Sequence, residues 1–193
     1  MRFLFTLFIA CWFSNSFGQK VEWLTSAGKE DTDQSVTVAT DNSGNSYIGS
    51  AFKDTAVFDS IKIYSKSLQF YLAKYNSSGE AVWVDTSVKN GACQSITIDD
   101  FKNVYVYANG DSIIINGSYQ NLNNDFLGQY DNAGNPNWQV DLPANFNFED
   151  FETGPKGNIY LGGSITGQII VGNDTFNVSG GYGDAIILKY DPS

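Results

Sequence analysis

The chain has 193 residues, 42% hydrophobic and 15% aromatic, which is ample for a core, and its 19 glycines suit short strands joined by tight turns. A formal charge of −10 and the lack of any histidine argue against a nucleic-acid phosphate surface, an anionic membrane face, a histidine-based triad and an imidazole metal site. Acidic surfaces also simply keep exported proteins soluble, so the charge says nothing about fold.

Positions 1–18 read as a signal peptide. Arg2 is the positive start, Phe3 to Phe13 the apolar run, and Ser16 and Gly18 the small residues of a cleavage site before Gln19. The run falls short of the roughly 20 apolar residues of a membrane span, so no membrane insertion is expected after signal removal. A lipoprotein reading would use Cys11, but bulky Phe8 and Trp12 fit that pattern poorly. Cleavage removes Arg2 and no acid, taking the charge from −10 to −11. It also removes Cys11, which leaves Cys93 without an intrachain disulfide partner. With no histidine to activate a thiolate, Cys93 reads as a small apolar side chain near the start of a strand.

The remaining residues, 19–193, read as short period-2 runs separated by turn signals. Val21–Thr25 is expected as a lone strand centred on Trp23. The first unit, 35–85, follows with strands at Ser35–Thr40, Ser46–Ser50, Phe70–Tyr75 and Ala81–Asp85. The second, 95–141, has Ser95–Ile98, Asn103–Ala108, Asp125–Tyr130 and Asn137–Asp141. The third, 148–193, has Asp150–Glu152, Asn158–Gly162 and Ala185–Tyr190, and lacks a fourth strand. Between second and third strands each unit carries an excursion expected as a rim hairpin, at Val57–Ile63, Ser112–Ile115 and Ile169–Val171. Asn and Gly in the turns, as in Asp41–Asn45, tolerate the positive φ that hairpin turns demand.

The units share a pattern. Tyr75-(x3)-Gly79-(x3)-Trp83 returns as Tyr130-(x3)-Gly134-(x3)-Trp138, and a third copy starts at Tyr190. Asn45 and Tyr47, Asn103 and Tyr105, and Asn158 and Tyr160 precede these in the same order. The Tyr-to-Tyr steps of 55 and 60 residues lie in the range of propellers and solenoids. This combination resembles the bacterial β-propeller repeat family often called SBBP-type, over essentially all of residues 19–193. Lys74-Tyr75 and Lys189-Tyr190 match its strand ending, and Gln129-Tyr130 departs from it. The resemblance implies a secreted or cell-surface protein, a blade-built fold and usually no assigned activity.

The fold expected is therefore all-β: a partial β-propeller of about three four-stranded antiparallel blades, the last incomplete. Three blades are too few to close a ring, which takes 4 to 8, so an open arc is expected, as part of a longer protein. Its exposed edges would be Val21–Thr25 and Ala185–Tyr190.

No catalytic or metal site is assigned, and no cofactor is expected. Carboxylate groups at Glu30, Asp31 and Asp33, at Asp99 and Asp100, and at Glu149 and Asp150 read as turn acids rather than a facing glycosidase pair. The loops Asp41–Asn45 and Asp131–Asn135 carry oxygen ligands around a Gly turn but lack the closing Glu of a calcium loop. The sequons at Asn76, Asn116, Asn173 and Asn177 matter only in a host that glycosylates them. Trp23, Trp83 and Trp138 share one repeat slot, as do Tyr47, Tyr105 and Tyr160, which reads as packing between units. The ligand-binding residues are unknown, but connections that break the repeat are the better candidates: Ser26–Gln34, Thr86–Gln94 and Leu142–Phe148. The function expected is a non-catalytic extracellular binding or scaffold module for a protein or glycan. A carbohydrate-active enzyme or its accessory domain, and a purely structural surface protein, are the alternatives.

Overall fold

The computed structural model describes residues 20–27, 37–123, 125–171, 174–178 and 183–191. Alternation of apolar side chains draws these residues into antiparallel strands, and none of the sheets closes on itself. The first sheet contains β1 (Thr37–Thr40), β2 (Ser46–Phe58), β3 (Ile61–Tyr75) and β4 (Ala81–Asp85), side by side in that order. After β5 (Val88–Lys89) the second sheet begins with β6 (Ala92–Ile98) and β7 (Val104–Asn109). A hairpin of β8 (Ser112–Ile115) and β9 (Ser118–Asn121) interrupts it before β10 (Phe126–Tyr130) and β11 (Pro136–Asp141). The third sheet has β12 (Phe146–Thr153) and β13 (Ile159–Ile165). A rim hairpin of β14 (Gln168–Val171) and β15 (Asp174–Asn177) precedes its last strand, β16 (Asp184–Tyr190). Its order, β12-β13-β16, leaves one edge of β16 without a strand among the described residues. A 3-10 turn at Pro155–Gly157 is the one helical element among them, and no described helix is long and apolar enough to cross a membrane.

Strand assignments from the sequence are close, and two expectations change. Val21–Thr25 forms no ladder; the N-terminal segment touches the first sheet through an isolated antiparallel bridge between Ala27 and Phe58. The rim hairpin of the first unit is no separate element either. β2 and β3 run through it, pairing from Ser46 opposite Tyr75 out to Phe58 opposite Ile61, with a register shift between Phe52 and Asp54 that bends the arm. In the second unit the hairpin does separate, and β5 joins it as a third strand through Val88 opposite Ile113. Ser35 and Val36 of the expected first strand lie outside the described residues.

Strict alternation packs the sheets in series. From β7, Val104, Val106 and Ala108 join Tyr47, Phe70 and Leu72 of the first sheet in one core. Tyr105 and Tyr107, on the opposite face, join Phe151, Leu161 and Leu188 of the third sheet in another. The second sheet is thus buried on both faces, which is why all five residues of β10 are buried. The far face of the first sheet carries its own cluster of Phe52, Phe58, Tyr71 and Tyr75, with Ala27 against it.

Five connections adopt one turn. The opening residue donates its N–H to the carbonyl of the closing residue four positions later: Asp41 to Asn45 at 3.0 Å, Asn76 to Glu80 at 2.9 Å, Asp99 to Asn103 at 3.1 Å, Asp131 to Asn135 at 2.9 Å and Gly154 to Asn158 at 2.7 Å. The fourth residue takes positive φ, +77° at Gly44 and +88° at Gly134, the left-handed region where a Cβ is strained. Lys102 occupies that position in the third of these turns at +67°.

Candidate functional site

The repeated motif residues are the first candidates, and each has a structural task. Asp41 caps its turn: Oδ1 accepts from the backbone N–H of Ser43 at 2.8 Å and of Asn45 at 3.1 Å. Its Oδ2 accepts from Asn45 Nδ2 at 2.7 Å and from the Tyr47 hydroxyl at 3.2 Å. Asp99 repeats the set with Phe101, Asn103 and the Tyr105 hydroxyl, the last at 3.0 Å. That is the physical content of the Asn-x-Tyr spacing: Asn closes the turn, and Tyr returns from the next strand to the same carboxylate. Burial pushes the Asp41 carboxyl up, but hydrogen bonds from Asn45, Ser43 and Tyr47 outweigh it and hold the group below its ordinary value. In the third unit Gly154 stands where the Asp would be, and Tyr160 is partly exposed.

The Gly-(x3)-Trp spacing spans two units rather than one. A Cβ on Gly134 would lie 2.9 Å from the Trp83 ring, and a Cβ on Gly79 would lie 2.8 Å from Trp23. Each Trp therefore seats on the glycine turn of the unit that follows it. Trp83 also donates its Nε1–H to the carbonyl of Asn132 at 3.1 Å and meets Tyr47 edge-on, with ring centres 6.0 Å apart. Across the strands Tyr47, Lys74 and Trp83 lie opposite one another, as do Tyr105, Gln129 and Trp138. Lys74 Nζ sits 5.2 Å from the centre of the Tyr47 ring and donates to Asn132 Oδ1. Burial depresses the Lys74 ammonium; Asp41 favours its charge and Lys102 opposes it.

The oxygen-rich loops considered for calcium, Asp41–Asn45 and Asp131–Asn135, direct their carboxylates at their own N–H groups. Among the described residues no group of three or more His, Cys, Asp or Glu side chains is placed to hold a metal ion. Glu30, Asp31 and Asp33 lie outside the described residues, as do positions 28–34 of the Ser26–Gln34 connection and Asn173. Asp100, Glu149 and Asp150 are exposed, so the structure gathers none of them with Asp99 into a pocket. Cys93 is buried against Gly49 of the neighbouring sheet, and burial pushes its thiol well up.

What remains are clefts where chain passes from one unit to the next. One, of about 630 Å³, lies between the end of β4 and the second unit. Val84, Asp85, Thr86 and Ser87 form one wall, Ile114, Asn116 and Gly117 of the rim hairpin another, and Asp131, Asn135, Pro136 and Asn137 the third. Gln69 of β3 fixes the first wall by donating to the carbonyls of Thr86 and Val88. Asp85 is its buried acid, in contrast to Asp131. Burial pushes this carboxyl up, and hydrogen bonds from Ser87 and the Thr86 backbone pull it part of the way back. Oδ2 accepts from Ser87 Oγ at 2.7 Å and Ser87 N at 2.9 Å, and Ser87 Oγ in turn lies 3.1 Å from the buried Tyr130 hydroxyl. Carboxylate acceptors beside amides that both donate and accept suit a ligand rich in hydroxyls. Among the described residues no aromatic ring lines this cleft, so hydrogen bonds rather than ring stacking would hold such a ligand.

A smaller cleft of about 300 Å³ occupies the corresponding place between the second and third units, lined by Val140, Asp141, Leu142 and Pro143 opposite Ile170. Ile170 holds the place in β14 that Ile114 holds in β8. Asp141 Oδ2 accepts from Asn123 Nδ2 at 2.9 Å, and its Oδ1 is buried without a hydrogen-bond partner. A third cleft, of about 330 Å³, adds Pro143, Ala144 and Phe146 to Asp111 and Asp125. Two connections singled out in the sequence, Thr86–Gln94 and Leu142–Phe148, thus supply cleft walls, but only in part, because Val88 and Lys89 are taken up by β5. Sequence reading passed over Asp85 and Asp141, although both follow closely on a motif Trp at a strand end. Comparison of the sequence with family models and with curated proteins finds no match.

Proposed function

We propose that the chain is a non-catalytic extracellular binding or scaffold module whose three units are blades of a partial β-propeller, related to the SBBP-type repeats it resembles. The single observation that supports binding is the recurrence of a rim cleft at successive unit junctions, each with an aspartate near the end of the fourth strand. Four-stranded antiparallel units packed in series, each built on the same turns, support the blade reading. Volumes of about 300 to 630 Å³ suit one or two sugar residues of a glycan. The preferred site is the first cleft, with Asp85, Asn116, Asn135 and Asn137 contacting hydroxyls.

Titration calorimetry against a panel of oligosaccharides tests this reading. Saturable binding that falls at least about tenfold in Asn137→Ala, the loss of one or two good hydrogen bonds, supports it. Binding unaffected by Asn137→Ala and Asn116→Ala moves the ligand elsewhere. Turnover of chromogenic glycosides that disappears in Asp85→Asn would replace the binding module with an enzyme. Neither binding nor turnover across the panel leaves a structural surface protein.

A further inference from the structure

The hairpin of β8 and β9 presents a second surface beside the first cleft. Ile113 and Ile115 of β8 point into the core, so strand alternation turns Ile114 the other way, where it lines the cleft. Tyr119 lies directly opposite Ile114, and cross-strand partners share a face, with Cβ atoms about 5 Å apart. Lys89 and Asn121 lie on that face as well, each opposite Ser112, and Lys89 Nζ sits 5.2 Å from the centre of the Tyr119 ring. This contact orients the ring, so less side-chain freedom is lost when a ligand meets it. Tyr119 is 63% exposed and belongs to none of the core clusters of the described residues. It also breaks the repeat, because at the same register in the third unit Thr175 stands opposite Ile170. Packing between units gives no reason for a ring here, whereas a ligand leaving the cleft past Ile114 would meet it.

We propose that the binding site continues from the cleft across this face. Its ligand is then an oligosaccharide of about three residues or more, one or two held in the cleft and the next stacked by its C–H face on the Tyr119 ring. This rests on the glycan reading of the cleft and adds the chain length and the apolar contact that the cleft alone does not supply. The step is of the right size: Tyr119 stands one strand beyond Ile114, about 4.8 Å, which is on the order of the advance of one sugar along a chain. The chemistry is complementary too. The cleft offers carboxylates and amides to hydroxyls, and the hairpin face offers a ring with the Asn121 amide and the Lys89 ammonium on the same face, suited to the hydroxyls around a stacked sugar.

The test is calorimetry of the full chain against xylo-, cello- and chito-oligosaccharides from disaccharide to pentasaccharide. Affinity is expected to rise about tenfold between the disaccharide and the tetrasaccharide of the series that binds. Tyr119→Ala is expected to remove that rise and leave disaccharide binding unchanged, while Tyr119→Phe, which keeps the ring, retains it. Because Tyr119 is exposed, both variants should melt with the unsubstituted protein. Equal affinity at every length, or a rise that survives Tyr119→Ala, overturns the extension; if binding is still lost in Asn137→Ala, the cleft reading stands without it. Binding lost in Tyr119→Ala but kept in Asn137→Ala and Asn116→Ala places the ligand on the hairpin alone and overturns both the cleft reading and the continuity proposed here. Absence of binding at every length overturns both.

Discussion

The carboxylate of Asp99 shows what a single motif residue does. It accepts two backbone N–H groups, the Asn103 amide and the Tyr105 hydroxyl, so Asp99→Ala strands several donors and is expected to cost roughly 1–3 kcal/mol in urea unfolding. Asp99→Asn should cost less, because Asn76 caps its own turn through Oδ1 with both backbone bonds at 3.0 Å. Asp41 and Asp131 are held below their ordinary value, against the effect of burial, by hydrogen bonds to the charged form. The folded value is therefore the lower one, so their stabilisation is complete above the unfolded value near 3.9 and is lost as pH falls through the folded value. Melting temperature should hold from pH 7 down to about pH 5 as far as these groups decide it, and drop below about pH 4. Cys93 makes a different prediction. Its thiol is 4% exposed and pushed up by burial, so a thiol reagent should label it only after unfolding. Labelling of the native protein at the rate of a free thiol would contradict that burial.

At the scale of elements, the hairpin turns separate local strain from contact between units. Gly117, in the Asn116-Gly117 turn between β8 and β9, has φ of +75°, and a Cβ added there would meet nothing within 4 Å. Gly134 has φ of +88°, and a Cβ there would meet the Trp83 ring at 2.9 Å. Gly117→Ala should cost about 1–2 kcal/mol of left-handed strain alone. Gly134→Ala should cost clearly more, because it also unseats Trp83; equal losses in thermal unfolding would show that the Trp contact contributes little. Strand length is set at this scale too. Asp59, at φ of +50°, turns the chain between β2 and β3, and the apolar alternation of Phe52, Ala56 and Phe58 keeps the arm on the core instead of letting it splay as a rim hairpin. Phe58 is fully buried, edge-on to Tyr71 with ring centres 5.1 Å apart, so Phe58→Ala is expected to lose about 3–5 kcal/mol.

For the whole molecule, stability comes from sheets that cover one another in sequence order. Trp83 links the first two: it packs on Gly134, donates to Asn132 and meets Tyr47. Trp138 makes the matching contact to Tyr105, with ring centres 6.2 Å apart, but no described glycine turn seats it. Trp83→Ala is therefore expected to destabilise more than Trp138→Ala and to broaden the melting transition as the first sheet uncouples from the second. Identical losses for the two variants would mean that contacts within a unit outweigh those between units.

The sequence by itself determined the all-β class, the repeat slots and most strands, because period-2 alternation and Gly or Asn turns act within a few residues of one another. It also marked Trp23, Trp83 and Trp138, and Tyr47, Tyr105 and Tyr160, as packing residues from their recurrence alone, although Trp23 and Tyr160 are each left 38% exposed. Only the tertiary structure decided which neighbour each one meets. The partner of Trp83 is a glycine in the following unit, 51 positions away, and a contact that long leaves no trace in local periodicity. The same holds for the clefts, where Asp85 comes to line one cleft with Asn116 and Asn137 only because sheets pack in series. Val21–Thr25 shows the limit from the other side. Its alternation is that of a strand, yet it forms no ladder, because pairing also needs an edge in register and local alternation cannot supply one.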